Sequence, residues 1–146
     1  MAMSGRIVID TNIIVSLYGR DGERRARARQ VIDEAARHEG ALPAQVLAEF
    51  ASVALRKIRL DHTTLQKQIE DLTSSFTILP LTEVIVREAV RGVRAHGFAY
   101  YDAQIWAAAR LAQIPFVLSE DFSTGAEIEG VSFVNPFDET VDLSTL

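Results

Sequence analysis

The stretch of sequence that decides the fold is Arg6-Ile7-Val8-Ile9-Asp10-Thr11-Asn12, near the start of a chain of 146 residues. Its three consecutive β-branched residues, 7–9, are typical of a short strand that is buried in a parallel sheet. The strand ends abruptly at three short polar residues, where a helix can begin. A buried strand that leads directly into a helix favours an α/β fold.

The rest of the chain alternates helical spacing with short apolar runs. Helices are predicted at 24–38, from 43 to 58, from 63 to about 72, at 81–96 and at 101–112, and strands at 41–42, 76–79, 116–118 and 132–134. Thr63 and Gln66 resemble a capping box at the start of one helix. Strands separated by helices predict a three-layer α/β/α sandwich with a central parallel sheet. Without repeats or linkers, we expect one domain over 1–146, with a core at about 6–137 and a C-terminal tail at 138–146.

Composition excludes several classes of protein. Hydrophobic residues make up 48% and charged residues 24%, which rules out a mainly disordered chain. The 15 basic and 20 acidic side chains give a net charge of −5, which argues against a protein that holds nucleic acid by a strong basic field. There is no cysteine, no apolar run that approaches the ~20 residues of a membrane span, and no signal-peptide pattern at 1–6. We therefore expect a cytoplasmic protein.

Four acidic residues occur where acids are unusual. Asp10 and Asp121 follow predicted strands, at the edge where open parallel sheets bind ligands. Glu49 lies within the apolar stripe of its helix, and Asp102 leaves from the apolar side of another. Three of them have a purely structural alternative: Asp10 or Asp102 could cap a helix, and the flexible stem of Glu49 could reach solvent.

Taken together, the four acids indicate a metal site. Anions do not converge in a dry interior unless a cation holds them. An all-oxygen site selects hard ions such as Mg²⁺ or Mn²⁺, which also bind phosphate oxygens. The chemistry that this suggests is metal-assisted hydrolysis of a phosphodiester.

These motifs resemble those of the PIN-domain nucleases, and most of all the VapC toxins of bacterial toxin–antitoxin modules. The similarity spans nearly the whole chain in order, and Ser119 takes the place of the threonine that is commoner in the last acidic motif. The segments that carry the resemblance are 7–12, 45–50, 100–103, 118–122 and 130–137.

The resemblance implies a parallel sheet between helices, an Mg²⁺ or Mn²⁺ ion, and endoribonuclease activity on single-stranded RNA. The acids that would hold the ion are Asp10, Glu49, Asp102 and Asp121. The residues that would support them by hydrogen bonds are Thr11, Asn12 and Ser119. Glu120 also adjoins the last motif, but the family pattern favours Asp121. Homodimers and a cognate antitoxin, with a basic residue placed among the acids, are implied as well.

Two alternatives stay open. The chain could be a PIN scaffold that only binds, or another acid-site phosphohydrolase such as one of the haloacid dehalogenase type. The latter needs a second aspartate two residues after the first, where Asn12 stands.

The sequence assigns no residue to substrate binding. Arginines between 20 and 29 could guide RNA, but a solvated face with ion pairs explains them as well. Phe98, Tyr100 and Tyr101 could stack on bases, or could pack in the core or in a dimer. Trp106 is expected in the core, and the three histidines have no metal-ligand spacing.

Overall fold

Six strands form one sheet in the computed structural model, which describes residues 5–122 and 124–143. The strands are β1 Ile7–Ile9, β2 Ala41–Pro43, β3 Thr77–Leu79, β4 Phe116–Leu118, β5 Ala126–Ile128 and β6 Val131–Val134. The helices are α1 Thr11–Val15, α2 Gly22–Arg37, α3 Ala44–Val53, α4 His62–Ser75, α5 Glu83–His96 and α6 Tyr100–Leu111. A 3₁₀ turn at Ser16–Tyr18 follows α1, and a π-helical turn at Ala54–Ile58 continues α3. The predicted three-layer α/β/α fold is confirmed.

The order of the strands places β1 near the middle of the sheet. That order is β3-β2-β1-β4-β6-β5, and every neighbouring pair is parallel except β5 with β6. Ile9 is paired with Leu118, so β1 and β4 end side by side. The loops that follow these two strands therefore begin at adjacent points of the same edge.

The antiparallel strand β5 is the element that the sequence did not predict. Its three residues carry the exposed charge of Glu127 and lack a continuous apolar pattern. A tight turn at Glu129 and Gly130, both with positive φ (50° and 84°), connects it to β6. The Glu129 carboxylate accepts hydrogen bonds from Arg91 at 2.9 Å, and these bonds together with His96 lower its pKa to about 2. This pairing ties the turn to α5.

The start of α4 differs from the prediction. The helix begins at His62, and its N-cap is Asp61, whose side chain accepts a hydrogen bond from the Thr64 amide at 3.2 Å. The predicted capping box at Thr63 and Gln66 is therefore wrong. Aspartate is at least as good an N-cap as threonine, so the earlier residue takes the position.

The core lies on both faces of the sheet and extends past residue 137. All three residues of β1 and the indole of Trp106 in α6 are fully buried, as the sequence analysis expected for Trp106. Val141 and Leu143 are also buried, although they belong to the segment assigned to the tail. Arg27 of α2 donates to the Val141 carbonyl at 2.8 Å and so helps to hold this segment.

Helix α5 packs directly against the Trp106 indole of α6 at Gly92. A Cβ added there would lie 2.6 Å from Cζ3 of Trp106 and 3.2 Å from the Phe98 ring. Real carbon contacts are longer than the first of these distances. Gly92 is therefore needed for the indole to pack between α5 and the sheet.

We predict that Gly92→Ala destabilises the protein. Helix propensity alone would favour alanine by about 1 kcal/mol, but overpacking of a filled core costs about 1–3 kcal/mol. We expect a net loss in the free energy of unfolding, measured by urea denaturation. The control is Gly22→Ala in the first turn of α2, where the added Cβ would meet only the flexible Arg25 side chain at 3.5 Å. Equal stability of the two variants would contradict the packing argument.

Candidate metal centre

Three carboxylates converge at the edge where β1 and β4 end. Asp10 directly follows β1, Asp121 lies three residues beyond β4, and Asp102 is in the first turn of α6. One carboxylate oxygen of each lies within 4.8 Å of the others. No Lys, Arg or His of the part of the chain that the structure describes forms an ion pair with them. The cluster is thus an uncompensated concentration of negative charge.

Hydrogen bonds from the loop after β4 hold Asp10 in place. Ser119, fully buried, donates from Oγ to Asp10 Oδ2 at 2.7 Å, and the Thr11 amide donates to Oδ1 at 2.7 Å. Asn12 donates from Nδ2 to Ser119 Oγ at 3.3 Å, and its Oδ1 accepts from the Glu120 amide at 3.4 Å. Asp10 is also the N-cap of α1. It therefore fills the capping position and lies in the cluster at the same time.

Burial and repulsion by neighbouring acids disfavour the ionised forms of Asp10 and Asp102. Burial raises the pKa of Asp10 from 3.8 to about 6; hydrogen bonds from Ser119 and Thr11 oppose the rise, and the charges of Asp121 and Asp102 add to it. The pKa of Asp102 is also raised, first by burial and then by Asp121 and Glu49. For Asp10 the change corresponds to about 3 kcal/mol against ionisation. A cation among these oxygens would remove that cost.

Glu49 lies at the wall of the same site but outside the three-acid cluster. Its Oε2 accepts a hydrogen bond from Thr11 Oγ1 at 2.9 Å, and its Oε1 accepts one from Gln45 Nε2. Gln45 also donates to the Tyr101 carbonyl at 3.3 Å and accepts from Gln104, so it joins α3 to α6. The apolar stripe of α3 does turn Glu49 inward, but into a hydrogen-bonded position.

The four acids line one open cavity of about 320 Å³. Its other lining residues include Gln45, Lys57 and Tyr101. Gln45 and Lys57 were not predicted from the sequence as residues of this site. The signal for Gln45 was its position four residues before Glu49 on one helix face, where side chains meet. The candidate roles of the predicted ligands and their supports remain predictions, although the structure brings all seven residues to this region.

The acid next to Asp121 is directed elsewhere. Glu120 forms an ion pair with Arg24 of α2, whose guanidinium lies 3.8 Å above the Phe137 ring. Glu120 does not line the cavity of the acids, whereas Asp121 does. Arg24 is thereby engaged within the chain, as is Arg27.

The aromatic residues before Asp102 divide between core and surface. Phe98 is buried and its ring contacts those of Trp106 and Phe133. Tyr101 is 64% exposed. The alternative role of Asp102 as a helix cap does not hold, because α6 begins at Tyr100 and Ala99 is its N-cap.

The sequence that carries this site matches a known protein family. The family model described as the PIN domain matches residues 7–123, a segment that contains all four acids. The chain belongs to the PIN domain family. No curated protein sequence matches the chain well enough to be counted as a relative.

Solved structures of several other proteins share the fold of the chain at low sequence identity. A toxin–antitoxin complex from Klebsiella pneumoniae has a TM-score of 0.67 and 23% identity, over 92% of this chain and 98% of that one. VapC20 of Mycobacterium tuberculosis, described as a toxin that cleaves the sarcin-ricin loop, has a TM-score of 0.65 and 19% identity, over 84% and 97%. FitAcB of Neisseria gonorrhoeae has a TM-score of 0.64 and 21% identity, over 90% and 99%.

Among the described residues, no helix is long and apolar enough to cross a membrane.

We predict that Mg²⁺ raises the melting temperature of this PIN domain more at pH 7 than at pH 5. The folded protein binds the Asp10 proton more tightly than the unfolded chain does, so ionisation of Asp10 lowers stability as pH rises from about 4 to about 6. Above pH 6 a cation relieves this loss, whereas at pH 5 it must first displace the proton. At a concentration of 100 Kd, the gain is about 2.7 kcal/mol, or several degrees.

The control for this measurement is the double variant Asp102→Asn/Asp121→Asn. It should lose the Mg²⁺ response, and in EDTA at pH 7 it should be at least as stable as the unmodified protein because two repelling charges are gone. A response that is equal at both pH values, or one that the double variant keeps, would refute a cation site at these acids.

Proposed function

We propose that this PIN domain is a metal-dependent endoribonuclease and the toxin of a toxin–antitoxin pair. The observation that carries the proposal is the cluster of Asp10, Asp102 and Asp121 at the carboxyl edge of the sheet, without a cationic partner among the described residues. A cluster of like charges lowers the stability of a fold, and such clusters are retained where they bind a ligand of opposite charge. For three carboxylates that ligand is a cation.

The donor set fits Mg²⁺ or Mn²⁺. All three groups offer carboxylate oxygen, which hard divalent cations prefer, and no cysteine occurs in the chain to favour a softer metal. Asp10, Asp102 and Asp121 would hold the ion, and Glu49 would complete the predicted set of four from the cavity wall. When bound, such a cation stabilises charge on phosphate oxygens and makes water more acidic.

The residues of the chain itself prepare this site. Ser119 and Asn12 fix the rotamer of Asp10, so that one of its oxygens is directed at the other two aspartates. Thr11 and Gln45 each donate to one oxygen of Glu49. Held in this way, Glu49 is positioned at the wall of the cavity beside the three aspartates that would hold the ion.

The proposed partners are RNA and an antitoxin protein, and we expect a homodimer in the cytoplasm. The similar structures include a toxin–antitoxin complex, which supports a partner of this kind. A basic side chain of an antitoxin would find complementary charge in the cavity of the acids and would compete with the cation.

A second candidate is a PIN scaffold that binds without cutting. The four intact acids with their hydrogen-bonded supports favour the nuclease. A hydrolase of another acid-site class is disfavoured by the match to the PIN family.

Asp121→Asn and Asp102→Asn are each expected to abolish Mn²⁺-dependent cleavage of RNA. Loss of a residue that merely supports a metal ligand costs about 10–100-fold, so loss of a ligand should lower the rate by more. The assay follows a single-stranded oligoribonucleotide on a denaturing gel, with and without EDTA, and melting curves show whether each variant folds.

The matched control is Glu120→Gln, which changes the neighbouring acid. Because Glu120 lies outside the cavity, its variant should cut at a rate close to that of the unmodified protein. Cleavage that persists in excess EDTA, or that survives both aspartate substitutions, would refute the proposed function.

A further inference from the structure

One basic residue lines the cavity of the acids among the residues that the structure describes. Lys57 lies in the π-helical turn Ala54–Ile58 and contributes to the wall on the side of Glu49 and Val53. It forms no ion pair with the described residues, whereas Lys67, the other lysine of the chain, pairs with Asp71 at 2.7 Å. Lys57 is exposed, and because no described carboxylate pairs with it, its ammonium is available to an incoming anion.

The π-helical turn explains how Lys57 comes to this wall. Glu49 and Val53 are four residues apart and share one face of α3. In a continuous α-helix, Lys57 would be rotated by about 80° from Glu49. A π turn advances by fewer degrees per residue because its hydrogen bonds span five residues, and so it brings Lys57 back toward the face of Glu49 and Val53. Such turns are frequent at functional sites.

An exposed aromatic ring also borders the cavity. Tyr101 is 64% exposed, and its backbone is anchored through the hydrogen bond that its carbonyl accepts from Gln45. The exposed ring lies next in sequence to Asp102 of the acid cluster. An aromatic surface of this kind stacks on unpaired bases without sequence preference.

We propose that Lys57 and Tyr101 form a subsite for one nucleotide of single-stranded RNA. Lys57 binds a backbone phosphate, and Tyr101 stacks on a base beside the acid cluster. The inference deepens the proposed ribonuclease function and rests on it. In a chain with a net charge of −5, Lys57 would supply one phosphate contact at the cavity, and stacking on Tyr101 would add affinity that does not depend on charge.

The test measures binding of a fluorescent ten-nucleotide single-stranded RNA of random sequence by anisotropy, in Mg²⁺ over a series of KCl concentrations. Asp121→Asn is present in every protein to prevent cleavage. Lys57→Gln should weaken binding several-fold and lower the slope of log affinity against log salt by about 0.7, the value for one lost phosphate contact on a single strand. Lys57→Arg should keep both values.

Tyr101 should respond differently from Lys57. Tyr101→Leu should weaken binding about tenfold with an unchanged salt slope, because stacking releases no counterions, and Tyr101→Phe should retain affinity. Lys67→Gln is the matched control for charge and should alter neither affinity nor slope. The Mg²⁺-induced shift in melting temperature, measured for each variant without Asp121→Asn, should stay constant.

The outcomes separate this inference from the proposed function. The subsite is wrong if Lys57→Gln behaves like Lys67→Gln, if the parent protein binds no RNA, or if the loss of binding follows an altered Mg²⁺ response. Cleavage by the unmodified protein is assayed in parallel. If the unmodified protein cuts RNA but Lys57→Gln and Lys67→Gln have equal salt slopes, the subsite alone is refuted. If the variants bind RNA with the expected salt slopes but the unmodified protein never cuts it, the proposed nuclease activity alone is refuted.

Discussion

The pairing of β1 with β4 is the constraint on which the rest of the site depends. Because Ile9 lies opposite Leu118, Asp10 and Ser119 are the next residues on two neighbouring strands. Their side chains meet in a hydrogen bond of 2.7 Å between residues that are 109 positions apart in sequence. A shift in register by one residue would turn Asp10 toward the opposite face and separate it from the remaining acids. The cluster of acids is thus a consequence of strand register as much as of residue type.

The same arrangement works against the stability of the metal-free fold. A buried Asp10 with a pKa near 6, close to two other aspartates, makes folding less favourable at neutral pH. The hydrogen bonds from Ser119 and Thr11 only partly offset this. A site that binds a charged species commonly lowers the free energy of unfolding of the protein when nothing is bound. Well-packed elements elsewhere in the fold then supply the stability that the site lacks. Here the closely packed α5 and α6 are such elements, with Trp106 fully buried between Gly92 and the sheet.

Much of the fold and part of the site could be predicted because their signals are local. The β-branched run of β1 and the helical spacing of α3 identify their elements directly, and the acids stand out because they interrupt apolar patterns. Gln45 and Lys57 could not be found in this way. Glutamine is common on helices, and the partners of Gln45 on α6 are known only from the structure. The position of Lys57 depends on a π-helical turn, for which the sequence contains no clear signal. Strand β5 was not predicted because its residues lack a hydrophobic pattern. A turn and contacts to α5 hold it beside β6 instead.

The outer strands of the sheet limit edge-to-edge aggregation of the protein. The sheet ends at β3 on one side and at β5 on the other, and each is only three residues long. Short edge strands offer few unpaired amide and carbonyl groups to another chain, and the exposed charge of Glu127 opposes pairing further. The Trp106 indole donates to the Ile128 carbonyl at 3.1 Å, which fixes the end of β5 against the body of the domain. The unpredicted hairpin therefore guards the parallel strands against edge-to-edge aggregation.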